Sequence, residues 1–357
     1  MDLINIVATL IKIILLFAIS LTAVAFCTWL ERRGAAWIQG RRGPCRVGPF
    51  GLLQPVADGI KFFFKESFVP EKSNKFFYLA APILTLTIPF LAMVSIPFAE
   101  NLYILNHEIP MRIARFDSGI LLVIAFTGLE VYPVMIGGWA SNNKFSVLGS
   151  LRAASQMIAY EISMGLALLS MILVYGTFDM NEMVRFQEKW MWGCFINPIA
   201  ALIFWFSIFA ETNRLPCDIP EGESEIVAGY HLEYGAMKFA LFFMSEYVAM
   251  IMASALIATL FFGGYSLLPG FSLVEKGIVA LFSIRSEIVN HNLFIIFQLL
   301  SIFLKIAFFM FVFIWVRWTL PRFRFDQLMD LGWKILFPLA LANVLLMGIV
   351  SYFFIYR

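Results

Sequence analysis

Apolar residues fall in long unbroken runs along this chain, and polar residues gather between them. Most runs are apolar on every face, so they match neither the alternation of a half-buried strand nor the single stripe of a surface helix. About 20 such residues let a helix cross a hydrocarbon core, and a helix satisfies its own backbone there. The pattern predicts eight spans, at roughly 4–30, 77–98, 119–137, 154–175, 198–210, 236–262, 293–315 and 335–354. The fifth is short and runs into Glu211. The expected fold class is therefore an all-α polytopic transmembrane bundle, with residues 1–357 forming a single integral membrane domain. A β-barrel would show short alternating segments instead. No cleavage-site pattern follows the first run, which reads as a retained helix rather than a signal peptide.

Composition agrees with the pattern. The chain is 61% hydrophobic and 14% charged, whereas soluble domains carry about 25% charged residues. The charges are distributed unevenly between the two faces. The loop 31–75 alone holds nine Lys and Arg, and the loops on its side of the eight-span arrangement hold sixteen against seven on the other. The positive-inside rule makes that richer side cytoplasmic and puts both termini outside. Within the first loop, Leu53, Val56, Ile60 and Phe64 recur at helical spacing, with Asp58, Lys61 and Lys65 on other faces. That is an amphipathic helix lying at the membrane interface. It reads either as a basic loop meeting anionic headgroups or as one wall of an entrance at lipid level.

Acidic residues carry the candidate chemistry. The stretch 211–246 contains seven carboxylates against Arg214 and Lys238. Glu130, Glu161, Glu211 and Glu246 lie within or at the ends of apolar spans. Each would cost about 2.5–3.5 kcal/mol at the bilayer centre unless it faces the bundle interior. They read either as structural carboxylates held by Arg, Tyr or backbone donors, or as a proton relay feeding one acidic loop. That loop comprises Asp218, Glu221, Glu223 and Glu225, is stiffened by Pro216 and Pro220, and lacks the spacing of a calcium loop. In the last cytoplasmic loop, Arg317, Arg322 and Arg324 alternate with Trp and Phe. This suits either a membrane anchor or a docking face for an acidic partner.

Cys27, Cys45, Cys194 and Cys217 show no C-x-x-C spacing, and the three histidines fall in or near loops. No metal site, redox cofactor or nucleotide loop is indicated. Any electron transfer would run in a partner.

Five segments then carry a resemblance: RRGPCRVGPFGLLQPVADGIKFFFKE, GGWASNNKFSVLGSLRAASQMIAYEIS, AETNRLPCDIPEGESEIVAGYHLEY, ALFFMSEY and WVRWTLPRFRFDQLMDLGWK. In that order they resemble the membrane-protein family that forms the quinone tunnel of respiratory complex I. Its members are the H subunits of bacterial NADH:quinone oxidoreductase and subunit 1 of the mitochondrial NADH dehydrogenase. The resemblance implies a subunit that admits quinone, as substrate, from the lipid. It implies a chamber involving Glu31, Arg32, Arg41, Asp58 and Phe243, and an acidic loop in which Arg214 accompanies Asp218, Glu221, Glu223 and Glu225. It implies a proton route through Glu211, Glu161 and Glu246, with Glu130 joining them. NADH, FMN and iron–sulfur clusters would reside in partner subunits, and small membrane subunits and antiporter-like subunits would adjoin. The location implied is the cell inner membrane, ahead of the mitochondrial inner membrane. Cys45 and Cys217 stand where the family commonly has a polar residue and a Phe. Two other classes stay open: the homologous membrane subunit of an energy-converting hydrogenase, and an independent ion transporter or anchor.

Overall fold

A computed structural model of the chain describes residues 3–104, 107–114, 116–220, 222, 226–267 and 287–355. The chain begins with α1 (Leu3–Ile38), then the amphipathic α2 (Gln54–Phe64) and α3 (Lys75–Met93). A hairpin of β1 (Asn101–Ile104) and β2 (His107–Pro110) precedes α4 (Gly119–Leu129), α5 (Val131–Ala140) and α6 (Lys144–Tyr175). Next come α7 (Met180–Lys189), α8 (Gly193–Ile196) and α9 (Pro198–Glu211). The chain continues with α10 (Ala236–Phe261), α11 (Glu287–Thr319), α12 (Phe325–Asp330) and α13 (Phe337–Val350). A π-helical turn, Leu331–Leu336, joins the last two.

Seven helical segments among the described residues are long and apolar enough to cross a membrane, and α9 is a shorter apolar helix. The eight runs thus take the form of seven long spans and one short one. At 1.5 Å per residue, the 14 residues of α9 reach only about 21 Å. The third span is broken at Glu130, which ends α4 and begins α5. Pro133 explains the break, because it has no N–H for the carbonyl of Leu129 and its ring crowds that carbonyl.

The core forms around α10, whose span is 83% buried. Ala249, Ala253, Ala255 and Ala258 on this helix are all buried, and small side chains of this kind let neighbouring backbones approach closely. It packs on α3 and α11, while α6 packs on α9, α5 and α13. The hairpin, which the run pattern does not foreshadow, is pinned at the end opposite the acidic loop. Lys12 donates to the carbonyls of Pro110 and Arg112 at 3.1 and 2.8 Å, and Asn292 donates to the Tyr103 carbonyl at 2.8 Å. The helix expected in the first loop is present as α2, with no buried residue and Val56, Ile60, Phe63 and Phe64 exposed along it.

Candidate functional site

The segment after α9 folds back into the bundle rather than spreading over its surface. The amide of Gln156 on α6 holds its start, donating to the carbonyls of Ala210 at 2.6 Å and Cys217 at 2.7 Å. Asn213 adopts a positive φ of 50° here, a conformation that Asn tolerates better than most residues. The turn buries Arg214 to 3% exposure and aims its guanidinium inward.

That guanidinium lies between two buried carboxylates from different helices. One Nη is 3.6 Å from Glu31 of α1 and the other is 3.4 Å from Glu246 of α10. Its plane sits over the Tyr247 ring at 4.3 Å. The Tyr247 hydroxyl donates to Glu31 at 2.5 Å, and Arg317 at the end of α11 pairs with the other Glu31 oxygen. The Tyr230 hydroxyl donates to Glu246 at 3.3 Å. Two carboxylates and two guanidiniums thus balance in a buried cluster. Burying ion pairs costs several kcal/mol per ion, and only close geometry with added hydrogen bonds offsets it. The tyrosines supply those bonds.

Glu246 also faces the other way. With Glu130, Glu211, Tyr230, Asn213 and Thr85 it lines a cavity of about 10 Å³, room for roughly one water molecule. Glu130 and Glu161 stand close enough to Glu211 for their charges to act on it, with the Thr127 hydroxyl beside it. Gly128 of α4 makes space for Glu161, since a Cβ there would meet its Oε1 at 2.3 Å. The four intramembrane glutamates singled out by the sequence therefore share one neighbourhood.

The cluster is approached along an aromatic row. Phe239, Phe243 and Tyr247 lie four residues apart on one face of α10, with ring centroids 6.2 and 5.1 Å apart. The row starts at Phe62 of α2, 6.2 Å from Phe239. Arg32 ties α2 to α1 through Asp58 at 2.6 Å. Of the remaining residues expected here, Asp218 pairs with Arg322 at 2.8 Å, and Arg41 stands on the rim of a wide groove between α1 and α11. Glu221, Glu223 and Glu225 lie outside the described residues, as does most of the loop between α10 and α11.

Sequence reasoning misses Tyr230, Gln156 and the Arg317–Glu31 pair. Tyr247 adjoins Glu246 in sequence, yet consecutive helical residues point about 100° apart, and its hydroxyl donates to Glu31 while Glu246 accepts from Tyr230. Likewise Tyr160, next to Glu161, donates instead to the Leu328 carbonyl at 2.7 Å. The four-residue spacing of Phe239, Phe243 and Tyr247 is the readable signal.

Cys217 gives a check on how tightly this turn is closed. It is fully buried, and burial first, then the charge of Asp218, pushes its thiol up to about 12. The thiol is therefore almost wholly protonated near pH 8 and a poor nucleophile. Maleimide is expected to leave Cys217 unmodified in native membranes and to label it once detergent denatures the chain. Rapid native labelling would mean that the turn opens.

These features define a polytopic helical membrane protein whose buried charge cluster adjoins a carboxylate-lined cavity. The family model for NADH dehydrogenase matches residues 11–348. The chain is 42% identical to the H subunit of NADH-quinone oxidoreductase from Flavobacterium psychrophilum over 98% of both chains. It is 46% identical to the corresponding H subunit from Salinibacter ruber over 92% of both chains. It is also 46% identical to NADH-quinone oxidoreductase subunit 8 of Rhodothermus marinus, over 95% of this chain and 96% of that one. The chain belongs to the NADH dehydrogenase family.

Proposed function

We propose that this chain is the membrane subunit of a proton-pumping NADH:quinone oxidoreductase that admits quinone and couples its reduction to movement of protons through buried carboxylates. The observation that carries this reading is the position of Arg214, shared between Glu31 and Glu246. The aromatic row from α2 to Tyr247 offers an apolar, polarisable wall for a ring and its tail. At its end stand Glu31, Tyr247 and the two guanidiniums. Negative charge developing there draws Arg214 away from Glu246. Unit charges 4 Å apart interact by about 4 kcal/mol at an effective dielectric of 20, enough to alter which carboxylate holds a proton. Glu246, on the wall of the small cavity with Glu211 and Glu130, then takes up a proton and hands the change on to Glu161.

The wider reading follows the charge asymmetry. The basic loops and the acidic turn face the cytoplasm, both termini lie on the opposite side, and the membrane is the cell inner membrane. NADH, FMN and iron–sulfur clusters sit in partner subunits docked on the cytoplasmic face, and antiporter-like subunits receive the protons. The relatives named as NADH-quinone oxidoreductase subunits favour this over a hydrogenase subunit or an autonomous transporter.

A photoactivatable quinone analogue, applied to the whole complex and mapped by peptide, tests the reading. Labels are expected on α10 around Phe243 and on α1 around Glu31, and excess quinone should suppress them. Labelling confined to other parts of the chain would refute the placement.

A further inference from the structure

A second cavity, much larger than the carboxylate-lined one, opens on another side of the charge cluster. A groove of about 1300 Å³ separates α1 from α11, and neither Glu31 nor Tyr247 lines it. It exceeds the usual 300–1,000 Å³ of a compact small-molecule site. On α1 it runs from Lys12 to Arg33, about 32 Å along the helix, which matches the thickness of a hydrocarbon core. Its middle is formed by Ala23, Cys27, Phe303 and Met310.

The charged groups of the groove are all cationic. Lys12, Arg33, Arg41, Arg42 and Arg112 line it, and no carboxylate does. The two ends differ in how far these charges are already engaged. At one end, Lys12 is held by two carbonyls and Arg112 by Asp179 at 3.0 Å. At the other, Arg33 donates to the Phe50 carbonyl and Arg41 to Gln39. Among the described residues, none of Arg33, Arg41 and Arg42 has an ion-pair partner. Trp37, 82% exposed, and Phe50, 70% exposed, flank them, as aromatic side chains do at headgroup level.

We propose that this groove binds an anionic diacyl phospholipid of the cytoplasmic leaflet, with its acyl chains between α1 and α11 and its phosphate held by Arg33, Arg41 and Arg42. The choice of leaflet rests on the orientation proposed above. A neutral quinone head gains little from three guanidiniums. A partner's transmembrane helix fits poorly as well, because the cytoplasmic flank of such a helix is usually basic and would be repelled here. Anionic lipid gains about 1 kcal/mol per Lys or Arg near the surface, a factor of about five for each arginine.

The test uses the whole complex in phosphatidylcholine nanodiscs containing a trace of photoactivatable phosphatidylglycerol. Crosslinks are expected on groove-facing peptides of α1 and α11, and several-fold fewer with a phosphatidylcholine probe. Arg42→Gln should weaken the phosphatidylglycerol signal about fivefold, and Arg33→Gln with Arg42→Gln about thirtyfold. The single variant alters an exposed residue and guards against misfolding of the double one. Equal crosslinking by both lipids, insensitivity to both variants, or a partner-subunit peptide or quinone filling the groove would overturn the proposal. The quinone photolabelling pattern is read in the same samples, so failure of the lipid site is distinguishable from failure of the quinone reading.

Discussion

Arg214→Gln is expected to have the largest effect of any single change in this chain. It removes the guanidinium shared by Glu31 and Glu246. Glu246 then loses a cation, and its bond from the Tyr230 hydroxyl brings no charge to replace it. Breaking a buried ion pair by removing one member typically costs about 3–5 kcal/mol. The loss is expected as a lower thermal midpoint for this subunit within the complex, and as a collapse of quinone-linked NADH oxidation. Arg214→Lys should recover part of the stability and little of the coupling, because an ammonium cannot present a planar fork to two carboxylates and a ring together. Wild-type turnover and proton pumping in both variants would remove Arg214 from the mechanism.

Glu211→Gln separates proton handling from electron delivery. Glu211 is buried at the end of α9, on the cavity wall with Glu130 and Glu246. The amide keeps the shape but carries no exchangeable acid proton. General acid–base groups typically contribute about 10²–10⁴-fold, so quinone reductase activity is expected to fall by about a hundredfold. Oxidation of NADH by an artificial acceptor that bypasses quinone should stay at the wild-type rate, since it needs none of these residues. Membrane vesicles would show the matching loss of the proton gradient. An unchanged ratio of protons moved to electrons passed would show that Glu211 is structural. Retention of the gradient together with poor turnover would point to quinone binding instead.

The bundle was legible because hydropathy reports directly on lipid. Its edges were less so, for a physical reason. Judged by polarity, the fourth run begins at 154, yet α6 starts at Lys144. Lys144, Ser146, Ser150 and Arg152 dilute the hydropathy without breaking the helix. The first helix similarly passes beyond residue 30 through ERRGAAWI to Ile38, carrying Glu31 and Arg32 on a rigid extension of the apolar run. The hairpin strands are four residues each, too short for alternation to stand out. At the site, the identities of the buried carboxylates were readable because each is conspicuous in an apolar run. Their partners were not. Arg317 and Glu31 are 286 residues apart, Tyr247 and Glu31 are 216 apart, and no local pattern encodes contacts at such separations. The resemblance supplied Arg32, Asp58 and Phe243, and the structure joins the first two in a pair and sets the third in the row leading to Tyr247.

The adjacent residues Glu246 and Tyr247 give α10 a rotational phase as well as a position. One addresses the small cavity and the other addresses Glu31, about 100° apart around the helix axis. Turning the helix by that angle in one sense would send the Tyr247 ring into the carboxylate cavity, and in the other sense would bring the Glu246 acid towards Glu31. An insertion or deletion of a single residue between Ala236 and Ser245 does this while leaving hydropathy and span length almost unchanged. The chain can therefore tolerate many substitutions along α10 more easily than a one-residue shift of its register, and the angular setting of this helix is itself part of what the protein encodes.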